Sequence, residues 1–213
     1  MITLYDYLPS QNAWKVRQLL RHLAIPHRTE IISIFEGAGQ SPHYLAINPW
    51  GAVPAIRLED GRVLSESNAI LMYLSGGTKY LPDEAFGQAK VFQWLSFEAD
   101  YVQTSIGSLR FWALTGKVSA RPASLVDGKR AIALRALGIL DRELSNQPFI
   151  AGGAYSIADI SLFAYAHLAN DAGIATDKFP SFEAWVARVK SEEGHLAEMF
   201  PYSIDPYSSV ELP

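Results

Sequence analysis

The chain has 213 residues, 49% of them hydrophobic and 19% charged, which is enough apolar material for a buried core and too much for wholesale disorder. Its formal charge of −4, from 18 Lys and Arg against 22 Asp and Glu, argues against nucleic acid or an anionic membrane as the main partner. There is no cysteine, which excludes a disulfide scaffold, a thiolate metal site and a protein thiol nucleophile.

The first third of the chain reads as mixed α/β. Ile2 and Leu4 alternate with Thr3 and Tyr5 as a short strand, and the loop Leu8-Pro9-Ser10-Gln11-Asn12 follows. Val16, Leu19, Leu20 and Leu23 then recur at helical spacing. His27 to Ile34 is expected to form the second strand, parallel to the first across a helical crossover. Ile56 to Leu64, turning at Asp60-Gly61, reads as a hairpin, and Ile70, Tyr73 and Leu74 form a helical face stopped by Gly76-Gly77.

From about Glu84 the strand signal disappears. Val91, Trp94 and Leu95 mark one helix, Ala133, Leu137, Leu140 and Leu144 a second, and Phe182, Trp185, Val186 and Val189 a third. Between them, Ser156 and Asp159 have the spacing of a capping box, with Tyr155 placed to staple onto Ile160. The helix that follows is apolar nearly all round and is expected at the centre of its unit. The expected division is an α/β domain over residues 1–77 and an all-helical domain over 84–213. Met1 to Asp6 lacks the basic start of a signal peptide, and polar residues interrupt every long apolar run, so a soluble, cytoplasmic protein is expected.

Three loops of the α/β part carry polar groups suited to a ligand. Ser10 and Asn12 open the first long helix, whose unpaired N–H groups and dipole favour an anion. With no cysteine in the chain, a thiolate held there must arrive on a ligand, and a helix N-terminus lowers the thiol pKa from about 8.5. Simple helix capping by either residue is the competing reading. Val53-Pro54 precedes a strand; a cis bond there would let the Val53 backbone pair with an extended peptide, and an ordinary trans proline is the alternative. Ser67 with the local N–H groups suits a carboxylate and Glu66 an amine, again against plain capping. The histidines His22, His27, His43, His167 and His195 show no ligand spacing, and no metal site is expected.

These segments resemble the glutathione S-transferase superfamily over nearly the whole chain, in a bacterial-like form of serine/asparagine type. The resemblance rests on Ser10 to Arg17, on Phe35 to Gln40, on Asn48-Pro49-Trp50-Gly51-Ala52-Val53-Pro54, on Glu66-Ser67-Asn68-Ala69-Ile70, and on Phe149 to Asp159. It implies a thioredoxin-like N-terminal domain, an all-α helical-bundle C-terminal domain and a homodimer. Glutathione would be the co-substrate: Ser10 and Asn12 hold its sulfur as thiolate, Val53 before cis Pro54 pairs with its cysteinyl unit, Glu66 and Ser67 hold the γ-glutamyl head, and Gln40 lies toward the glycine end. Some classes use a tyrosine at the end of the first strand, which makes Tyr7 the alternative activator. The electrophile site would lie against the helical domain, with Phe97, Tyr101, Arg110, Phe111 and Trp112 as candidate lining. The activity implied is transfer of the glutathione thiolate to small electrophiles. The alternatives are reduction of organic peroxides or disulfides at the same site, or glutathione binding without catalysis.

Overall fold

The computed structural model describes residues 1–211, and the chain divides into two compact units. Met1–Gly76 groups with the residues from Leu196 onward, and Gly77–His195 forms the second unit.

The first unit is built on a four-stranded sheet of order β2-β1-β3-β4. Strand β1 (Ile2–Asp6) is central, parallel to β2 (His27–Ile31) and antiparallel to β3 (Ala55–Arg57), which pairs in turn with β4 (Val63–Ser65). Both faces of β1 are covered. Leu4 packs with Val16, Leu20, Ile56 and Ile70, whereas Tyr5 packs with Ile32, Tyr44, Ile47 and Ala55. The apolar-polar alternation expected of β1 therefore does not mark a solvated face: Thr3 and Tyr5 are buried as well. Strand β2 ends earlier than expected. Ile32 N–H still reaches Asp6 O at 2.8 Å, but β1 stops there and leaves no partner, so the chain turns into short 3₁₀ segments at Ile34–Glu36 and Ala38–Gln40. Helix α1 (Gln11–His22) buries Val16, Leu19 and Leu20, and α2 (Pro42–Leu45) is a single turn. Helix α3 (Ser67–Ser75) packs on α1 through Ile70 and Leu71, whereas Tyr73 is half exposed.

Residues from Leu196 onward join this unit rather than the helical one. Trp14 Nε1–H donates to Leu196 O, Gln18 Oε1 accepts from Leu196 N–H, and Tyr7 O–H donates to Asp205.

The second unit is helical. It comprises α4 (Ala85–Phe97), a π-helical stretch over Glu98–Gly107, α5 (Ser108–Leu114), α6 (Ala123–Leu144), α7 (Ile157–Ala166) and α8 (Pro180–Lys190). Helix α7 is its centre, with nine of its ten residues buried. The capping box forms as the sequence predicts, and the Asp159 carboxylate does more than cap. It accepts from Ser156 N–H and Oγ–H, Ile150 N–H (2.9 Å) and Trp185 Nε1–H (2.9 Å), which ties three segments to one buried group. Tyr155 makes edge contacts with Tyr80 and Phe149. No helix among the described residues is long and apolar enough to cross a membrane.

Candidate functional site

Strand register brings the three polar loops to one edge of the sheet. Tyr5, Ala55 and Ser65 stand side by side across β1, β3 and β4. The exit of β1 toward Ser10, the entry to β3 from Val53 and the exit of β4 toward Glu66 and Ser67 therefore share that edge. β2 also leaves there, toward Gln40.

The β1–α1 loop is fixed from both sides. Ser10 N–H closes a turn onto Tyr7 O at 2.8 Å. Arg17, in the second turn of α1, donates from Nη1 to both oxygens of the buried Asp6 at 2.8 Å and from Nη2 to Leu8 O at 2.9 Å. This ion pair, with the bond to Leu8 O, ties α1 to the end of β1 and to the loop that leads into Ser10. Ser10 is the N-cap: its Oγ accepts from Ala13 N–H at 3.2 Å. Capping occupies a lone pair and leaves the hydroxyl proton to donate, so capping and anion binding are compatible at this residue.

Asn12 and Ser67 meet directly. Ser67 Oγ–H donates to Asn12 Oδ1 at 3.4 Å, and Lys15, fully buried, donates from Nζ to Asn12 Oδ1 at 2.9 Å and lies 3.5 Å from Ser67 Oγ. The starts of α1 and α3 are thus joined, and neither helix has an acidic residue in its first turn. Two dipole ends and a buried ammonium make this corner positive. Glu66 holds the N-cap position of α3 with φ of 70°, a left-handed conformation that costs a non-glycine residue about 1–3 kcal/mol. Its side chain makes no capping bond and is exposed, available to a cation beside the positive corner.

The Val53–Pro54 bond is cis. The loop before it is held by Asn48, whose Nδ2–H donates to Ala52 O at 2.7 Å while Oδ1 accepts from Trp50 N–H, and by Tyr44 O–H, which also donates to Ala52 O. This gives the Asn-Pro-x-Gly motif a local cause. Gly51 has φ of 66°, and a Cβ there would stand 2.5 Å from Gln40 Nε2 and 2.8 Å from Gly39 O, so the Gln40 loop is seated against glycine.

Tyr7 is committed elsewhere. Its single proton goes to Asp205 Oδ2 at 2.8 Å, and burial followed by the Asp205 bond raises its pKa further above the ordinary phenol value. It cannot donate to a ligand sulfur while that bond stands. Beside it a cavity of about 300 Å³ is lined by Tyr7, Leu8, Pro9 and Ser33 and by the carboxylate residues Glu36 and Asp205 among others.

The residues expected to line an electrophile site have partners within the helical unit. Phe97 stacks on Tyr101 with ring centroids 5.0 Å apart, Arg110 pairs with Asp171, Lys117 lies over Phe111, and Arg121 and Lys129 flank Trp112. The sequence assigns no role to Lys15, Arg17 and Asn48, although they lie in the segments that carry the resemblance, and does not point to Asp205 at all. An Arg and a Lys inside an amphipathic helix look solvated, and nothing in the sequence signals that the segment holding Asp205 returns to β1.

Known proteins resemble the chain in both units. The family profile "Glutathione S-transferase, N-terminal domain" matches residues 9–75, and "Glutathione S-transferase, C-terminal domain" matches residues 98–193. The crystal structure of a glutathione S-transferase from Pseudomonas fluorescens Pf-5 superposes with a TM-score of 0.88 at 35% identity, covering 92% of this chain and 97% of that one. A glutathione transferase from Burkholderia graminis, solved with two glutathione molecules bound per subunit, gives 0.81 at 28% identity over 91% of this chain and 85% of that one. The disulfide-bond oxidoreductase YfcG of Escherichia coli K12 is 27% identical over 201 residues, 90% of this chain and 91% of that protein. With profiles matched in both units and a 35% identical relative covered almost end to end, the chain belongs to the glutathione S-transferase family.

Proposed function

We propose that the protein is a glutathione transferase that ionises the glutathione thiol at the mouth of α1 and transfers the sulfur to a small electrophile. The observation that carries this reading is the junction of Asn12, Lys15 and Ser67, which sets two helix N-termini and a buried cation at the sheet edge where Val53 also lies. Glutathione has the complementary layout. Its γ-glutamyl carboxylate goes to the backbone N–H groups at the α3 N-terminus, that of Ser67 among them, its ammonium to Glu66, its cysteinyl amide to the Val53 backbone before Pro54, and its glycine end toward Gln40. The sulfur then meets Ser10 Oγ–H and the Asn12 amide. The thiol proton leaves to solvent, the sulfur lone pair forms the new C–S bond, and the leaving group departs with its bonding pair. Catalysis comes from the enlarged thiolate fraction and from placing the electrophile beside it, in the cavity next to Tyr7.

Similarity to YfcG favours a second reading at the same site. There the thiolate attacks a disulfide and releases one thiolate; a second glutathione resolves the mixed disulfide, giving oxidised glutathione and the second thiol. Calorimetry with reduced glutathione and initial rates on electrophile and disulfide panels test both. The proposal predicts binding with turnover of at least one electrophile. Binding with disulfide turnover alone selects the second reading, and absence of binding refutes both.

A further inference from the structure

The least expected residue at the site is a lysine with no access to solvent. Lys15 is the fifth residue of α1, in the half of the helix where the dipole disfavours a cation, and a buried ammonium carries a desolvation cost of several kcal/mol. Its position has a chemical consequence for Asn12. A carboxamide presents an acceptor at one end and two donors at the other, and the two ends are interchangeable by rotation unless something distinguishes them. Here the distinction is forced: an ammonium has only donors, so the end 2.9 Å from Lys15 Nζ must be oxygen. Ser67 Oγ–H occupies the same oxygen. Both neighbours thus hold the Asn12 amide with its N–H₂ turned away from them as the free donor end.

We propose that Lys15 is a positioning residue for the thiolate site: it locks the Asn12 carboxamide in the orientation that donates to sulfur and adds a buried positive charge that favours the ionised thiol. The inference rests on glutathione binding as described above. With Lys15 neutral, the Asn12 amide is free to rotate and offer sulfur its oxygen, which repels a thiolate.

The test is a pH titration of the ultraviolet thiolate band of bound glutathione in the whole protein, for wild type, Lys15→Met, Lys15→Arg, Asn12→Ala and the Lys15→Met/Asn12→Ala pair. Lys15→Met is expected to raise the bound thiol pKa by about one unit, a tenfold loss of thiolate at pH below the pKa. Lys15→Arg, which keeps the charge and the donors, is expected to recover most of it. The Asn12→Ala change should add little in the Lys15→Met background, because the two act through one contact. A Lys15→Met protein that binds glutathione with the wild-type thiol pKa overturns the proposal, even if its melting temperature falls, since a purely structural lysine moves only the latter. If neither Lys15 variant folds, wild type labelled with ¹⁵N-asparagine decides: the Asn12 side-chain amide, identified by its loss in Asn12→Ala, must shift when glutathione binds and stay unmoved when a sulfur-free analogue binds. Equal shifts with both ligands overturn the proposal. Failure of wild type to bind glutathione refutes the underlying functional reading instead and is seen before any variant is made.

Discussion

Helix α7 and its C-cap carry two titratable groups, the buried Asp159 and the partly buried His167, whose responses to pH oppose each other. Burial raises the Asp159 carboxyl to about 6, against the four hydrogen bonds that lower it. Burial also lowers His167, at the other end of the helix, to about 3, where it stacks on Phe163. For Asp159 the folded state holds its proton more tightly than the unfolded state, so its contribution is most favourable below about pH 4 and is lost as pH rises through 6, a change of about 3 kcal/mol for some two units at 1.36 kcal/mol each. For His167 the unfolded state is the tighter binder, so acid below about pH 6.5 costs the fold about 3 kcal/mol by pH 4. The two nearly cancel in the wild type. Replacing Asp159 with Asn sets an amide against donors, which destabilises at every pH, but the informative quantity is the slope. Urea denaturation at several values between about pH 7 and 4 should show the wild type gaining about 2–3 kcal/mol on Asp159→Asn as pH falls, and losing a similar amount relative to His167→Gln. Differences that do not vary with pH would refute the assignment of these shifts to burial.

Three further predictions concern the site. Tyr7→Phe removes the bond to Asp205 and about 1–2 kcal/mol of stability, yet leaves the bound thiol pKa unchanged; a raised pKa would make Tyr7 the activator. Gly51→Ala forces a Cβ against Gln40 and Gly39 O at a left-handed backbone position and is expected to cost about 1–3 kcal/mol in stability. It should also weaken glutathione binding by calorimetry without altering the thiol pKa, and unchanged affinity would remove Gln40 from the site. The carboxylates of Glu36 and Asp205 beside the cavity predict faster turnover of neutral than of carboxylated electrophiles of equal reactivity, with the preference reduced in Glu36→Gln. Equal rates would move the electrophile elsewhere.

Much of the frame was legible in sequence because it follows from local chemistry. The hairpin at Asp60-Gly61, the stripe of Val16, Leu19 and Leu20, and the box of Ser156 and Asp159 each depend on residues a few positions apart. What stayed hidden depends on contacts distant in sequence. The burial of Thr3 and Tyr5 follows from β1 being covered on both faces, which no alternation within five residues reveals. Ser10 read as a cap or as an anion donor, and the structure shows that capping consumes only its acceptor capacity. The withdrawal of Tyr7 is decided by Asp205, 198 positions away. The burial of Lys15 depends on its contacts with Asn12 and with Ser67, 52 positions away, which no spacing within α1 reveals.

The central claim is that the mouth of α1 ionises a sulfur supplied by glutathione. Its most direct test is the ultraviolet titration of the bound thiol in wild type and Ser10→Ala. The account predicts a wild-type value about one to two units below the free thiol's 8.5 or so, moving back toward it in the variant. Bound glutathione that titrates like the free tripeptide in the wild type would contradict it.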